Sequence, residues 1–241
     1  MKKLIQLAVY GVFLVVFTTN AQSNKISGNG KTVTENRKTG DYDAIKIGGS
    51  FDVNLVAGKE GNITIKGEEN LVSAIKVEVE ENTLKIYVEK GTQIRKSIGH
   101  KIEITIPFEK INAVSLAGSG DIITKDKIKN DKFAVKLAGS GNFKLDIDSN
   151  DVEVSLSGSG NVKLKGNTTN LITKLAGSGD INTTELKSKN VDANVSGSGN
   201  SRVSCAEKLT ARVSGSGNIK YDGNPEKRDV KVSGSGNISK A

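Results

Sequence analysis

Residues 154–162 read Val154-Ser155-Leu156-Ser157-Gly158-Ser159-Gly160-Asn161-Val162: an alternating strand, a Gly-Ser-Gly corner, a side-chain amide and the start of a second strand. The tripeptide returns seven times, at 118–120, 139–141, 158–160, 177–179, 197–199, 215–217 and 234–236, in steps of 21, 19, 19, 20, 18 and 19 residues. An Asn or Asp follows every copy, from Asp121 to Asn237. A fixed period near 19 specifies a solenoid, in which each turn buries its apolar face by stacking on its neighbours.

Laying the copies on one another gives columns. Two residues before the corner stand Leu116, Leu137, Leu156, Leu175, Val195, Val213 and Val232. Four residues after its first glycine stand Ile122, Phe143, Val162, Ile181, Ser201, Ile219 and Ile238. Even offsets are mainly apolar and odd offsets largely polar, so one strand enters each corner and another leaves it with one face inward. Glycine suits the corner because it tolerates positive φ. The small residues before it (Ala117, Ala138, Ser157 and their equivalents) keep the corner compact, and the Asn/Asp column suits a ladder of stacked amides. The predicted fold is all-β, a right-handed parallel β-helix with ~19-residue coils. A β-propeller needs about 40 residues per blade and fits the period poorly.

The organisation expected along the chain has four parts. Residues 1–21 read as a secretory signal peptide: Lys2 and Lys3, an apolar run from Leu4 to Phe17, and small residues up to Ala21. Residues 22–40 form a polar leader. Residues 41–110 read as irregular N-terminal β coils or a cap, with strand-like runs at 62–66, 75–80, 83–88 and 101–106 and a helix or loop at 71–75. Residues 111–241 form the regular β-helix with seven GSG[ND] coils. The location predicted is exported, whether periplasmic, cell-surface or secreted, and not integral to a membrane.

Without the two signal lysines, 33 Lys+Arg face 27 Asp+Glu. Export and the even spread of cations argue against a nucleic-acid partner. Cys205 and His100 are the lone representatives of their types, so no internal disulfide exists, and a Cys–His catalytic pair would span distant coils. Gly-Ser-Gly lacks the Lys-Ser/Thr of a phosphate loop. Asn fills the post-corner position in five of seven copies, leaving little charge for calcium, and no metal or cofactor is expected. The carboxylates are scattered rather than paired as glycosidase chemistry requires, so the chain reads as a non-enzyme.

Two outward columns carry positive charge. Three residues before the corner stand Ser115, Lys136, Ser155, Lys174, Asn194, Arg212 and Lys231; five after stand Ile123, Lys144, Lys163, Asn182, Arg202, Lys220 and Ser239. Stacking turns Lys136, Lys174, Arg212 and Lys231 into one basic stripe and Lys144, Lys163, Arg202 and Lys220 into another. Such stripes suit an extended polyanion, an acidic glycan or lipopolysaccharide; equally, Lys on outward strand faces blocks aggregation.

At these repeats, preceded by Ile47-Gly48-Gly49-Ser50-Phe51-Asp52-Val53, the chain resembles the putative auto-transporter adhesin, head GIN domain family over residues 40–238. The resemblance implies an exported β-helical protein, common in Bacteroidota, with no catalytic residues to carry over. The last repeat ends near Ala241, so the membrane barrel of an autotransporter is not expected, and the final coil is expected to offer open strand edges for self-association. The function expected is a non-catalytic adhesin-like or envelope-binding scaffold. Its alternatives are a carbohydrate-active β-helix enzyme and a self-assembling structural module.

Overall fold

The computed structural model describes residues 24–241; the signal peptide expected over residues 1–21 lies outside them. From Ala113 onward the coils stack as parallel strands in register. Ala113–Gly118 pairs with Ile128–Gly139, setting Leu116 beside Leu137 and Gly118 beside Gly139. The same pairing continues coil by coil to Lys227–Ser233. Past the corner a second stack sets Ile122, Phe143, Val162, Ile181, Ser201, Ile219 and Ile238 side by side. The Leu116-to-Val213 column is buried throughout, and each such side chain contributes on the order of 2 kcal/mol of burial.

The two corner glycines are required for different reasons. Gly158 has φ +126°, and a Cβ there would lie 2.3 Å from the Gly139 carbonyl oxygen. Gly160 has no positive φ, yet a Cβ would lie 2.1 Å from the Gly141 carbonyl and 2.8 Å from Leu137 Cδ2. The backbone ladder causes this crowding. Ser159 and Gly160 both donate their N–H groups to the Gly139 carbonyl, at 3.0 and 3.2 Å, so consecutive corners lie in direct contact.

Departures from the 19-residue step are absorbed away from the corner. The 20-residue coil places its extra residue in a bulge, where Lys163 pairs Asn182 but Lys165 pairs Glu185. The longer first step opens a break between the strands Asp121–Thr124 and Ile128–Gly139.

Gly48-Gly49-Ser50, which reads as a degenerate corner, is one: Ala44–Gly49 pairs parallel with Ala113–Gly118, with Gly49 beside Gly118. Below it lie Thr83–Val88 and Glu103–Phe108, still parallel to the stack. Their other neighbours, Ile75–Glu80 and Asn62–Glu68, run antiparallel and end the parallel array. A short helix, Glu69–Val72, buries Leu71 and Val72 at this end. The polar stretch over residues 22–40 does more than lead in. Thr32–Lys38 pairs antiparallel with Asn62–Glu68, and Asn24–Ser27 pairs parallel with Thr92–Arg95.

Glu68 ties this region together. It is 1% exposed and accepts from the Gly30 N–H at 2.8 Å, the Ser97 N–H at 2.9 Å and the Ser97 hydroxyl at 2.5 Å.

At the opposite end Lys227–Ser233 and Asn237–Lys240 pair on one side only, among the described residues. Val230 and Val232 occupy inward columns yet are 51% and 41% exposed. The inward column Phe133, Val152, Leu171, Val191 and Leu209 ends in Arg228, whose guanidinium donates to the Tyr221 hydroxyl at 3.0 Å.

Candidate ligand-binding trough

The strand entering each corner presents two outward positions, three residues and one residue before the first glycine. The nearer one is always small, from Gly48 and Ala117 to Ser214 and Ser233; the farther one is larger and mostly basic. Stacking a small column beside a long one leaves a trough of about 980 Å³ that runs along the solenoid. Its basic wall includes Lys136, Lys174, Arg212 and Lys231, as the repeat alignment predicts.

The register extends that wall beyond the repeats: Lys46 stands beside Ser115, and Lys85 beside Lys46. Nine stacked strands at ~4.8 Å make the trough about 38 Å long. Tyr87 takes the place of the small residue in the last of them and lines the trough there. Lys46 was legible, three residues before Gly49 as Lys136 is before Gly139. Lys85 and Tyr87 were not, because their strand has no corner motif.

Half of the wall is partly neutralised. Lys174 Nζ lies 2.8 Å from Glu153, Arg212 pairs with Asp229, and Lys85 pairs with Glu80. The hydrogen bond that Lys174 donates to Glu153 holds its ammonium above its ordinary pKa, and the one from Arg212 holds Asp229 below the usual carboxylate range. Lys46, Lys136 and Lys231 have no carboxylate within 4 Å among the described residues.

The second stripe is also in register, Lys144 beside Lys163, then Asn182, Arg202 and Lys220, but on the far side of the corner. It does not line the long trough. Lys163 and Arg202 border a separate depression of about 260 Å³ with Asp180, Asn182 and Asn200. Lys163 is paired with Glu185 at 2.6 Å.

Between the stripes the Asn/Asp column forms its ladder in two runs. Asn142 donates to Asp121 at 2.7 Å and Asn161 to Asn142 at 2.8 Å. Asn200 then donates to Asp180 at 2.9 Å and Asn218 to Asn200 at 3.0 Å. Repeat alignment missed a second ladder, in which Asn170 donates to Asp151 and Asn190 to Asn170.

The single cysteine is buried. Cys205 is 1% exposed, its thiol donates to the Lys208 carbonyl at 3.1 Å, and burial pushes its pKa up. His100 lies in the N-terminal region, 3.5 Å from the Thr32 hydroxyl, with the repeats between it and Cys205. Among the described residues no group of three His, Cys, Asp or Glu could hold a metal ion, and no helix is long and apolar enough to cross a membrane.

Solved structures share this architecture. A putative adhesin from Bacteroides fragilis superposes with TM-score 0.80 at 27% identity, covering 90% of this chain and 100% of its own. A putative lipid binding protein from Parabacteroides distasonis gives TM-score 0.74 at 28% identity, with the same coverage of both chains. A putative adhesin from Parabacteroides merdae shares the fold at 22% identity and TM-score 0.72, covering 90% of this chain and 99% of its own. No curated protein matches the chain in sequence. The model of one family, "Putative auto-transporter adhesin, head GIN domain", matches residues 41–225, and the chain belongs to that family.

Proposed function

We propose that the protein is an exported, non-catalytic, adhesin-like scaffold of the cell envelope whose trough binds extended acidic glycan chains, those of lipopolysaccharide included. The observation that carries this reading is one wall in continuous register from Lys85 to Lys231, basic at six of its nine positions, beside a floor of small residues. Small residues let a polymer approach the backbone closely, and the cations attract it along its length. Belonging to an adhesin family and resembling solved putative adhesins support a binding role over catalysis. The test is binding to acidic glycans, neutral glycans and lipopolysaccharides at low and physiological salt. Anionic lipid vesicles join the panel because the P. distasonis relative is named a putative lipid binding protein. Binding confined to acidic glycans and weakened by salt supports the reading; equal binding to neutral chains, or to vesicles alone, overturns it.

A second reading, self-association through the C-terminal coil, is favoured by the exposure of Val230 and Val232 at core positions. Arg228 opposes it, since an inward-pointing charge at a sheet edge is a known guard against pairing. Sedimentation of Arg228→Leu against wild type tests this: the leucine restores the column and raises the oligomer fraction, whereas an unchanged, monomeric distribution removes this reading.

A further inference from the structure

Between Ser115 and Arg212 the trough wall alternates, and from Lys136 onward so do the charges beside it over that stretch. In register, Lys136, Lys174 and Arg212 stand on alternate coils, separated by Ser155 and Asn194. Two residues earlier on each strand the order inverts. The coils of Ser155 and Asn194 carry Glu153 and Asp192, while those of Lys136, Lys174 and Arg212 carry Ala134, Ile172 and Thr210. Over this middle stretch cationic coils therefore alternate with coils that are neutral at the wall and acidic beside it; at the ends the alternation lapses, Lys46 standing beside Lys85, and Lys231, with Asp229 on its own strand, beside Arg212.

With strands ~4.8 Å apart, like coils recur about every 9.6 Å. We infer that the trough is matched to a polymer alternating acidic and neutral sugars, with one anionic group per disaccharide. This rests on the reading of the trough as a polyanion site and narrows it to one class of glycan.

An extended disaccharide has nearly the length of two coils, so a polymer with one carboxylate per disaccharide can set each charge on a cationic coil. Its neutral sugars then meet the Ser155 hydroxyl and the Asn194 amide, which hydrogen-bond without charge. A polymer charged at every sugar would place alternate anions beside Glu153 and Asp192. Like charges there discriminate against the wrong spacing, as specificity by repulsion requires.

The test compares three probes against the full-length protein after signal removal: hyaluronan, with one carboxylate per disaccharide; polygalacturonate, with one per sugar; and neutral dextran. Chains are matched in length and affinities compared at two salt concentrations. Hyaluronan is expected to bind about tenfold more tightly than polygalacturonate, with dextran not binding. In Glu153→Lys/Asp192→Lys the acidic coils become cationic, and the preference is expected to reverse. Asp192 is exposed and Glu153 half-buried, and an unchanged melting temperature verifies that the variant is folded. Polygalacturonate binding the wild type as tightly as hyaluronan overturns the spacing inference and leaves the polyanion reading standing. No binding to either acidic polymer overturns both.

Discussion

Lys174 Nζ lies 2.8 Å from Glu153 Oε1 across one coil boundary, so the acid that neutralises the trough's central cation sits on the coil beneath it. Both side chains are about half exposed, at 58% and 42%, and such pairs contribute little to stability. Glu153→Gln is therefore expected to leave the melting temperature nearly unchanged and free the ammonium for ligand. Affinity for an acidic glycan should tighten roughly threefold at low salt, with the gain vanishing at high salt. Titration of both proteins at two salt concentrations checks it. If Lys174 is only a solvated strand residue, the two curves coincide.

The side-chain ladder breaks between Asn161 and Asp180. These residues are register neighbours, but a carboxylate only accepts and cannot donate to the Asn161 amide oxygen. Asp180→Asn supplies the donor and joins the two runs. It should stabilise by about 0.5–1 kcal/mol, a rise of a few degrees in melting temperature. Calorimetry on the two proteins reads this directly, and a loss of stability would show that the break is favourable.

Two core substitutions should act in opposite directions. Thr173 is fully buried in the column of Val154 and Ala193, and its hydroxyl has no partner. Thr173→Val should stabilise by about 1 kcal/mol by removing an unsatisfied buried group. Gly160→Ala drives a Cβ to 2.1 Å from the Gly141 carbonyl and should cost about 3 kcal/mol or more, although its φ is one alanine adopts. Chemical denaturation of both variants gives the two signs.

How much was legible follows from where the chain repeats. The corners, the Leu/Val column and the Asn/Asp column each recur seven times, so alignment alone placed Lys136 over Ser115 and beneath Ser155. The N-terminal region was less legible because its contacts are set by long-range pairing. Nothing local marks Thr32–Lys38 as the partner of Asn62–Glu68, or Lys85 as a neighbour of Lys46. Sequence treated the two basic stripes as equivalent, but the small residue beside each wall position exists only on the strand entering the corner. That asymmetry makes a trough on one side and none on the other. Arg228 went unremarked because its meaning depends on the five buried apolar residues stacked below it.

Glu68 predicts acid sensitivity confined to the N-terminal region. Hydrogen bonds from the Ser97 hydroxyl, then the Ser97 and Gly30 N–H groups, outweigh burial and lower its pKa below the ordinary glutamate value. A carboxyl depressed in the folded state contributes stability above its unfolded pKa of about 4.3 and loses it as pH falls through the folded value. Hydrogen exchange at Asn24–Gly30 should therefore quicken below about pH 4 while the repeat coils stay protected. Glu68→Gln should show the faster exchange already at pH 7. Uniform protection across the acid range would remove Glu68 from this role.

The central claim is that one face, and not overall charge, binds the ligand. The most direct measurement is the salt dependence of acidic-glycan affinity for three proteins: wild type, Lys136→Ser/Lys231→Ser on the trough wall, and Lys144→Ser/Lys220→Ser on the other stripe. All three keep the fold, since the four lysines are exposed, and the two variants carry the same net charge. The trough variant is expected to bind more weakly, with the slope of log affinity against log salt reduced by roughly 1–2, while the other variant matches wild type. Equal losses from both stripes, or no change from either, would contradict it.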